Sequence, residues 1–344
     1  MEPDRTGEAG DRGSRALRCA KRVLGGLAVF LVLLAVAGAS YEAIGTARDA
    51  RKFPPPGRLV DVGGHRLHLY CTGTGSPTVV LETGMGGFSI YWIRVQPEVA
   101  KFTRVCSYDR AGLGWSEPGP EPRTVRQFVT ELRALLKNAG ATGPYVIVGH
   151  SLGGFTARFY ASHHPEEVAG AVLVDSSVTG DWLKMNTDEK TALDERVRMN
   201  RRYAYLARIG GVRTLAALMQ AGVMKPPGGA ASILEELPEG IRPVRIMAWV
   251  QPKFFSTVAS QYESLPESAA QVAAAGGLGD LPLIVLTAGD AEPAREHRAL
   301  AQLSSRGKHA GVPGSGHQIH LERPAAVVDA IREVVEQART QARN

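Results

Sequence analysis

Apolar and polar positions along the 344 residues alternate in different ways in different parts of the chain. From Arg58 onward, short runs rich in β-branched residues are separated by turns and amphipathic stretches. Leu59–Val62 and Arg66–Cys71 flank Gly63-Gly64 and predict a hairpin, since paired glycines supply the positive φ of a two-residue turn. Thr78–Leu81, Arg104–Tyr108, Tyr145–Val148, Ala171–Val174 and Leu283–Leu286 predict further strands. The last four are apolar almost throughout, as strands covered on both faces are. Val125–Asn138 places Phe128, Leu132, Leu135 and Leu136 at helical spacing, and Pro324–Ala338 predicts a carboxyl-terminal helix. A hairpin followed by alternating β and α implies an α/β fold with a mostly parallel sheet covered by helices.

That alternation stops between residues 176 and 279. Asn186-Thr187-Asp188-Glu189 is a capping pattern before a helix that runs towards Gly210-Gly211, and no β-rich run interrupts the stretch. An insertion of this kind between two strands reads as a helical cap. Its apolar residues Leu215, Leu218, Met219, Met247, Trp249, Phe254 and Phe255 are expected first to pack against one another. The sheet-bearing core is then residues 58–175 and 280–344.

The pattern ahead of residue 58 is different again. Arg5, Arg12, Arg15, Arg18, Lys21 and Arg22 precede an uncharged run of 17 residues, Val23–Ala39. The run is short of the ~20 residues that span a bilayer and longer than a usual secretory apolar region of ~7–15. Two expectations stand: residues 23–41 form an uncleaved signal anchor, with Ser40 and Tyr41 reaching the interface, or a signal cleaved after Ala37-Gly38-Ala39. Either way the basic tail, residues 1–22, stays cytoplasmic and the remainder is extracytoplasmic, on the membrane or secreted. Residues 42–57, ending in Pro54-Pro55-Pro56-Gly57, read as a stiff linker.

Composition narrows the functional classes. A chain 44% hydrophobic and 22% charged is globular rather than disordered. Lys+Arg 40 against Asp+Glu 34 suggests a basic protein, but residues 1–52 supply half of the net +6. The rest holds no basic tract that would follow a phosphate backbone, so no nucleic-acid partner is expected. Three cysteines without a CxxC or Cys/His cluster imply no zinc site, and the absence of a dinucleotide fingerprint or P-loop implies no cofactor.

The candidate chemistry begins at Pro144-Tyr-Val-Ile-Val-Gly-His-Ser-Leu-Gly-Gly154. Gly149-His150-Ser151-Leu152-Gly153 matches G-x-S-x-G between an apolar strand and a helix marked by Leu152, Phe155, Phe159 and Tyr160. Three further segments follow the same family pattern: Leu81-Glu-Thr-Gly-Met-Gly-Gly87, Tyr108-Asp-Arg-Ala-Gly-Leu-Gly-Trp-Ser116 and Gly314-Ser-Gly-His317. Over residues 58–338 the chain resembles an α/β-hydrolase with a GHSLGG nucleophile elbow. The resemblance implies an eight-stranded, mostly parallel sheet flanked by helices, with the cap inserted after strand six.

It also implies a serine hydrolase. Ser151 would be the nucleophile and His317 its base, with His320 as the rival; His150 and His163-His164 read as structural. In the family the acid usually follows the seventh strand, where the usual G-x-x-D spacing from Gly289 lands on Glu292 rather than an aspartate and Asp290 stands two residues early. Some relatives carry it after the sixth, where Asp175 stands; Asp175 is preferred and the other two remain open. Backbone N–H groups of Met85 and Leu152 would form the oxyanion hole, with Thr83 where the family often has histidine, and Asp109 and Arg110 would tie that loop from beneath. Cys71 and Cys106, in strands that neighbour in the family's order, are expected to form a disulfide, leaving Cys19 free. The implied reaction is ester hydrolysis on a small-molecule substrate, an apolar ester given the apolar cap. Amide, lactone, thioester or carbon–carbon cleavage uses the same machinery, and a non-catalytic binding protein is the alternative of another class. A serine at the elbow argues against dehalogenase and epoxide hydrolase chemistry, in which aspartate attacks.

Overall fold

Eight strands form one sheet in the order β1-β2-β4-β3-β5-β6-β7-β8 in the computed structural model, which describes residues 7–225, 234–289 and 295–343. β1 (Arg58–Asp61) and β2 (Arg66–Thr72) form the expected hairpin, and β2 runs antiparallel to β4 (Val105–Tyr108). β3 (Thr78–Glu82), β4, β5 (Tyr145–His150), β6 (Val168–Val174), β7 (Leu283–Ala288) and β8 (Gly307–Val312) pair in parallel.

Successive residues of a strand point to opposite faces, and the two cores follow that alternation. Val80, Cys106, Ile147, Leu173 and Val285 face α3 (Val125–Asn138) and α4 (Leu152–His163), which contribute Phe128, Leu132, Leu135 and Phe155. Val79, Val105, Val146, Val148, Val172, Val174 and Ile284 face α2 (Gln96–Val99) and the carboxyl-terminal helix Pro324–Gln341, which contribute Val99, Val327, Ile331, Val334 and Val335. Cys71 and Cys106 are register partners on β2 and β4 and are joined as a disulfide; Cys19 is free and exposed. The bridge closes a loop with a sequence separation of 35, so its reduction should lower the unfolding free energy by about 2–4 kcal/mol, read from urea titrations with and without reductant.

Between β6 and β7 come α5 (Gly180–Leu183), α6 (Thr187–Arg208), α7 (Gly211–Gln220), α8 (Arg242–Trp249), α9 (Pro252–Glu263) and α10 (Leu265–Ala273). α6 starts at a capping box in which Asn186 and Glu189 bond reciprocally, and it ends at Gly210 in the left-handed region (φ 72°). The cap is held by aromatic contacts such as Tyr203 on Phe255, with centroids 5.3 Å apart. Met247, Phe254 and Phe255 are buried as expected, whereas Leu218 is exposed. α10 packs on α5 as well as on α3 and α4, and places Leu265, Ala269 and Val272 in the sheet's own core.

The amino-terminal segment is one helix, α1 (Gly7–Lys52). It is long and apolar enough to cross a membrane, with a most apolar window of mean hydropathy 2.4 in which no residue is buried. Residues 42–52, assigned to a linker on sequence, continue this helix; only the prolines from Pro54, which cannot extend a helix, end it. The helix goes on because Glu42, Thr46 and Asp49, about one turn apart, share one partner. Arg213 of α7 donates to Glu42 Oε2 (2.8 Å), Asp49 Oδ2 (2.6 Å) and Thr46 Oγ1 (3.2 Å).

Candidate active site

The carboxyl ends of β3, β5, β6, β7 and β8 open on one edge of the sheet beneath the cap. In an open parallel sheet this is where ligand sites form. Ser151 sits at the turn from β5 into α4 with φ 52° and ψ −120°, a region that costs a non-glycine residue about 1–3 kcal/mol. The surroundings hold it there: its N–H donates to Val174 O (3.1 Å), and its carbonyl accepts from Gly154 (2.9 Å) and Ser177 (3.0 Å). The flanking glycines allow a close backbone approach. A Cβ at Gly149 would stand 2.3 Å from Gly153 O, and one at Gly153 would stand 2.5 Å from Glu82 O.

His317, in the loop after β8, and Asp175, at the end of β6, come together across 142 residues, with Nδ1–H donating to Asp175 Oδ2 at 2.6 Å. Asp175 also has positive φ (41°), and its Oδ1 accepts the Ala288 N–H at 3.0 Å. Burial opposes ionisation of this carboxyl, but the bonds from His317 and Ala288 outweigh it and hold its pKa below the usual range. It is therefore a carboxylate that fixes His317 with the proton on Nδ1, leaving Nε2 free to accept. Asp290 and Glu292 lie outside the described residues. Ser151 and His317 line one cavity without a direct hydrogen bond between them; such bonds often tighten only when substrate arrives.

The other histidines take different places. His320 is fully buried against Trp92 (4.8 Å between centroids) and His150 (4.4 Å), and neither ring nitrogen has a hydrogen-bond partner among the described residues. Burial, reinforced by His317, lowers its pKa to about 3. His150 is held neutral by burial and by its two histidine neighbours, and its Nε2–H donates to the His317 carbonyl at 2.9 Å. His163 and His164 lie at the far end of α4, His163 stacked on Phe159. Sequence reasoning missed His297, whose Nε2–H donates to Ser176 O (2.8 Å) and whose Nδ1 is 4.0 Å from Asp175 Oδ1. No local motif marks it; only the packing of residues 295–301 on β7 brings it there.

The loop after β3 carries Met85 to the edge of the same cavity, with Gly84 so close that a Cβ would stand 3.1 Å from Ser151 Cβ. Leu152, the first residue of α4, lines the other side. Arg110 grips the loop from beneath, donating to Glu82, to the Thr83 carbonyl and to Gly84 O (3.3 Å). Burial pushes the Glu82 pKa up while Arg110 opposes it. Asp109 accepts from the Ser89 and Trp115 N–H groups at 2.8 and 2.9 Å. Arg110→Met should strand Glu82 and free the loop, lowering the unfolding free energy by about 3–5 kcal/mol in urea titrations. The cavity measures about 620 Å³ and is walled by Trp182, Tyr203, Trp249, Phe254, Phe255 and Tyr262. Arg245 also reaches it, bonding Tyr91 Oη through Nε at 2.7 Å, while its Nη1 has no partner among the described residues.

Comparison with known proteins agrees with this architecture. Residues 77–324 match the family described as alpha/beta hydrolase fold. The uncharacterized protein YbdG of Bacillus subtilis is 27% identical over 165 residues, 47% of this chain and 51% of its own. The chain spans about half the length, or less, of the curated relatives it matches first. A thermophilic esterase from Thermogutta terrifontis superposes with a TM-score of 0.59 at 24% identity, covering 82% of this chain and 98% of the esterase. The Cif epoxide hydrolase from Acinetobacter nosocomialis reaches 0.65 at 14% identity, covering 86% and 96%. At these identities the likeness speaks for the fold alone, and one fold carries both reactions. With the family match spanning well over half of its length, the chain belongs to the alpha/beta hydrolase fold family.

Proposed function

We propose that this hydrolase cleaves a carboxylic ester with an apolar portion, through an acyl-enzyme on Ser151. The observation that carries the reading is the His317–Asp175 bond of 2.6 Å beside a serine held at φ 52° in the same cavity. Ser151 Oγ attacks the carbonyl carbon while His317 Nε2 takes its proton, and Asp175 stabilises the imidazolium that forms. The developing oxyanion is met by the Met85 and Leu152 N–H groups, donors of a type that contributes about 3–4 kcal/mol each when prearranged. Collapse of the tetrahedral adduct breaks the ester C–O bond, and His317 returns the proton to the departing alkoxide. Water, deprotonated by the same imidazole, then attacks the acyl-enzyme and frees the acid and Ser151.

The aromatic walls favour an apolar acyl or alcohol group over a sugar. Amide, lactone, thioester or carbon–carbon substrates would use the same groups and are separated by assay. In this reading α1 anchors the protein in a membrane, with the basic tail cytoplasmic and the catalytic domain outside. The test is fluorophosphonate labelling of the full chain in detergent, followed by hydrolysis of p-nitrophenyl esters of graded chain length. Covalent labelling and turnover of esters support the reading; an unlabelled, inactive wild type would leave a binding protein of hydrolase fold.

A further inference from the structure

The contact between α1 and the cap fixes a depth. A Cβ at Gly38 would stand 2.2 Å from Ile209 O, and one at Gly210 would stand 2.7 Å from Gly38 O. The corner where α6 meets α7 therefore touches α1 backbone to backbone, within the apolar run that ends at Ala39. Gly38 lies only about 4.5 Å along the helix axis before Tyr41, at 1.5 Å per residue. If α1 spans a bilayer, as proposed above, this corner lies at the level of the lipid interface.

Its surface is suited to that position. Tyr205 and Leu206, on the last turns of α6, are 67% and 46% exposed, Ile209 just after it is 46% exposed, and Leu218, Val223 and Met224 are exposed on and after α7. From Arg196 to Arg208 α6 carries five arginines and no acidic residue. The Arg208 guanidinium lies over the Tyr205 ring at 5.3 Å. Apolar side chains with a basic, aromatic border are what an interface with anionic headgroups accommodates. The same helix lines the Ser151 cavity through Arg196, Met199, Asn200 and Tyr203. Met199 is seven residues from Leu206, about 10 Å along the axis.

We propose that the α6–α7 corner of the cap is a membrane-docking surface, seated in the bilayer that α1 spans, and that the catalytic cavity draws an amphiphilic ester from that bilayer. The occupant of the patch is lipid, because the patch continues the span's own apolar surface through the Gly38–Ile209 contact. The inference rests on the anchoring of α1 and, for the substrate, on the esterase reading.

The test uses the full chain with Cys19→Ser, reconstituted in phosphatidylcholine vesicles containing phosphatidylglycerol. An environment-sensitive fluorophore is placed on Leu31→Cys in the span, Leu206→Cys at the corner, or Glu336→Cys on the opposite face of the sheet. Nitroxide-labelled lipid should quench the first two and spare the third, and aqueous iodide should do the reverse. A Leu206 label open to iodide while Leu31 is lipid-quenched overturns the docking and leaves the anchor standing. An unquenched Leu31 label overturns both. A Leu206 label shielded from both quenchers means that a second copy covers the patch, and this also overturns the proposal. None of these readings depends on catalysis, so failure of the esterase reading is seen separately. With Leu206→Glu and Ile209→Glu together, hydrolysis of a vesicle-embedded long-chain ester should fall at least about tenfold, with a water-soluble short ester unchanged within about twofold. Equal loss on both esters would overturn delivery from the bilayer.

Discussion

Ser151→Ala is expected to abolish fluorophosphonate labelling and to lower kcat on any ester that the wild type cleaves by about 10⁶-fold, the loss typical of removing such a nucleophile. The fold should survive. Ser151 supports its turn through backbone groups, and these remain when the hydroxyl is removed. The substitution even relaxes nothing essential at φ 52°, because alanine bears the same Cβ there as serine. The measurement is single-turnover and steady-state hydrolysis on purified protein, with the unfolding midpoint as the control. Equal labelling of wild type and variant would place the reactive group elsewhere and end the Ser151 mechanism.

Asp175→Asn should lower kcat by about 10⁴-fold with little change in substrate binding, because an amide cannot hold the charged imidazole in its tautomer. This variant also decides among the three acids considered on sequence: full activity in Asp175→Asn would return the role to Glu292 or Asp290. A linked effect on stability follows from the depressed pKa of Asp175. A carboxyl whose pKa is lower folded than unfolded adds stability that is complete above the unfolded value, near 4, and is lost as pH falls through the folded one. The difference in unfolding free energy between wild type and Asp175→Asn should therefore be largest near neutral pH and should shrink on acidification below about pH 4. Urea titrations across that range check the sign.

The sequence by itself determined the elements and their kind. Period-2 and continuous apolar runs marked β3 to β7, because a strand buried on both faces has no polar position to hide the signal. The Gly-His-Ser-Leu-Gly turn was legible for the same local reason: close approach at Gly149 and Gly153 excludes side chains whatever the rest of the chain does. The start of α6 was written in four residues, Asn186 to Glu189. β8 carries little apolar pattern, since only Val312 of this edge strand is buried.

Tertiary structure decided what is held by partners far apart in the chain. Nothing near His317 names Asp175; only the ends of β6 and β8, set beside β7, bring the carboxylate and the imidazole within 2.6 Å. His297 beside Asp175 and His150 on the His317 carbonyl belong to the same class of long-range contact. So does the fate of residues 42–52. Read alone they suggest a linker, but Arg213, more than 160 residues away, gives Glu42 and Asp49 a common cation and keeps them helical. Local pattern encodes which faces are apolar and where the chain turns, because those depend on neighbours in sequence. Which polar group satisfies which depends on packing, and that emerges only when the sheet and the cap have closed over the site.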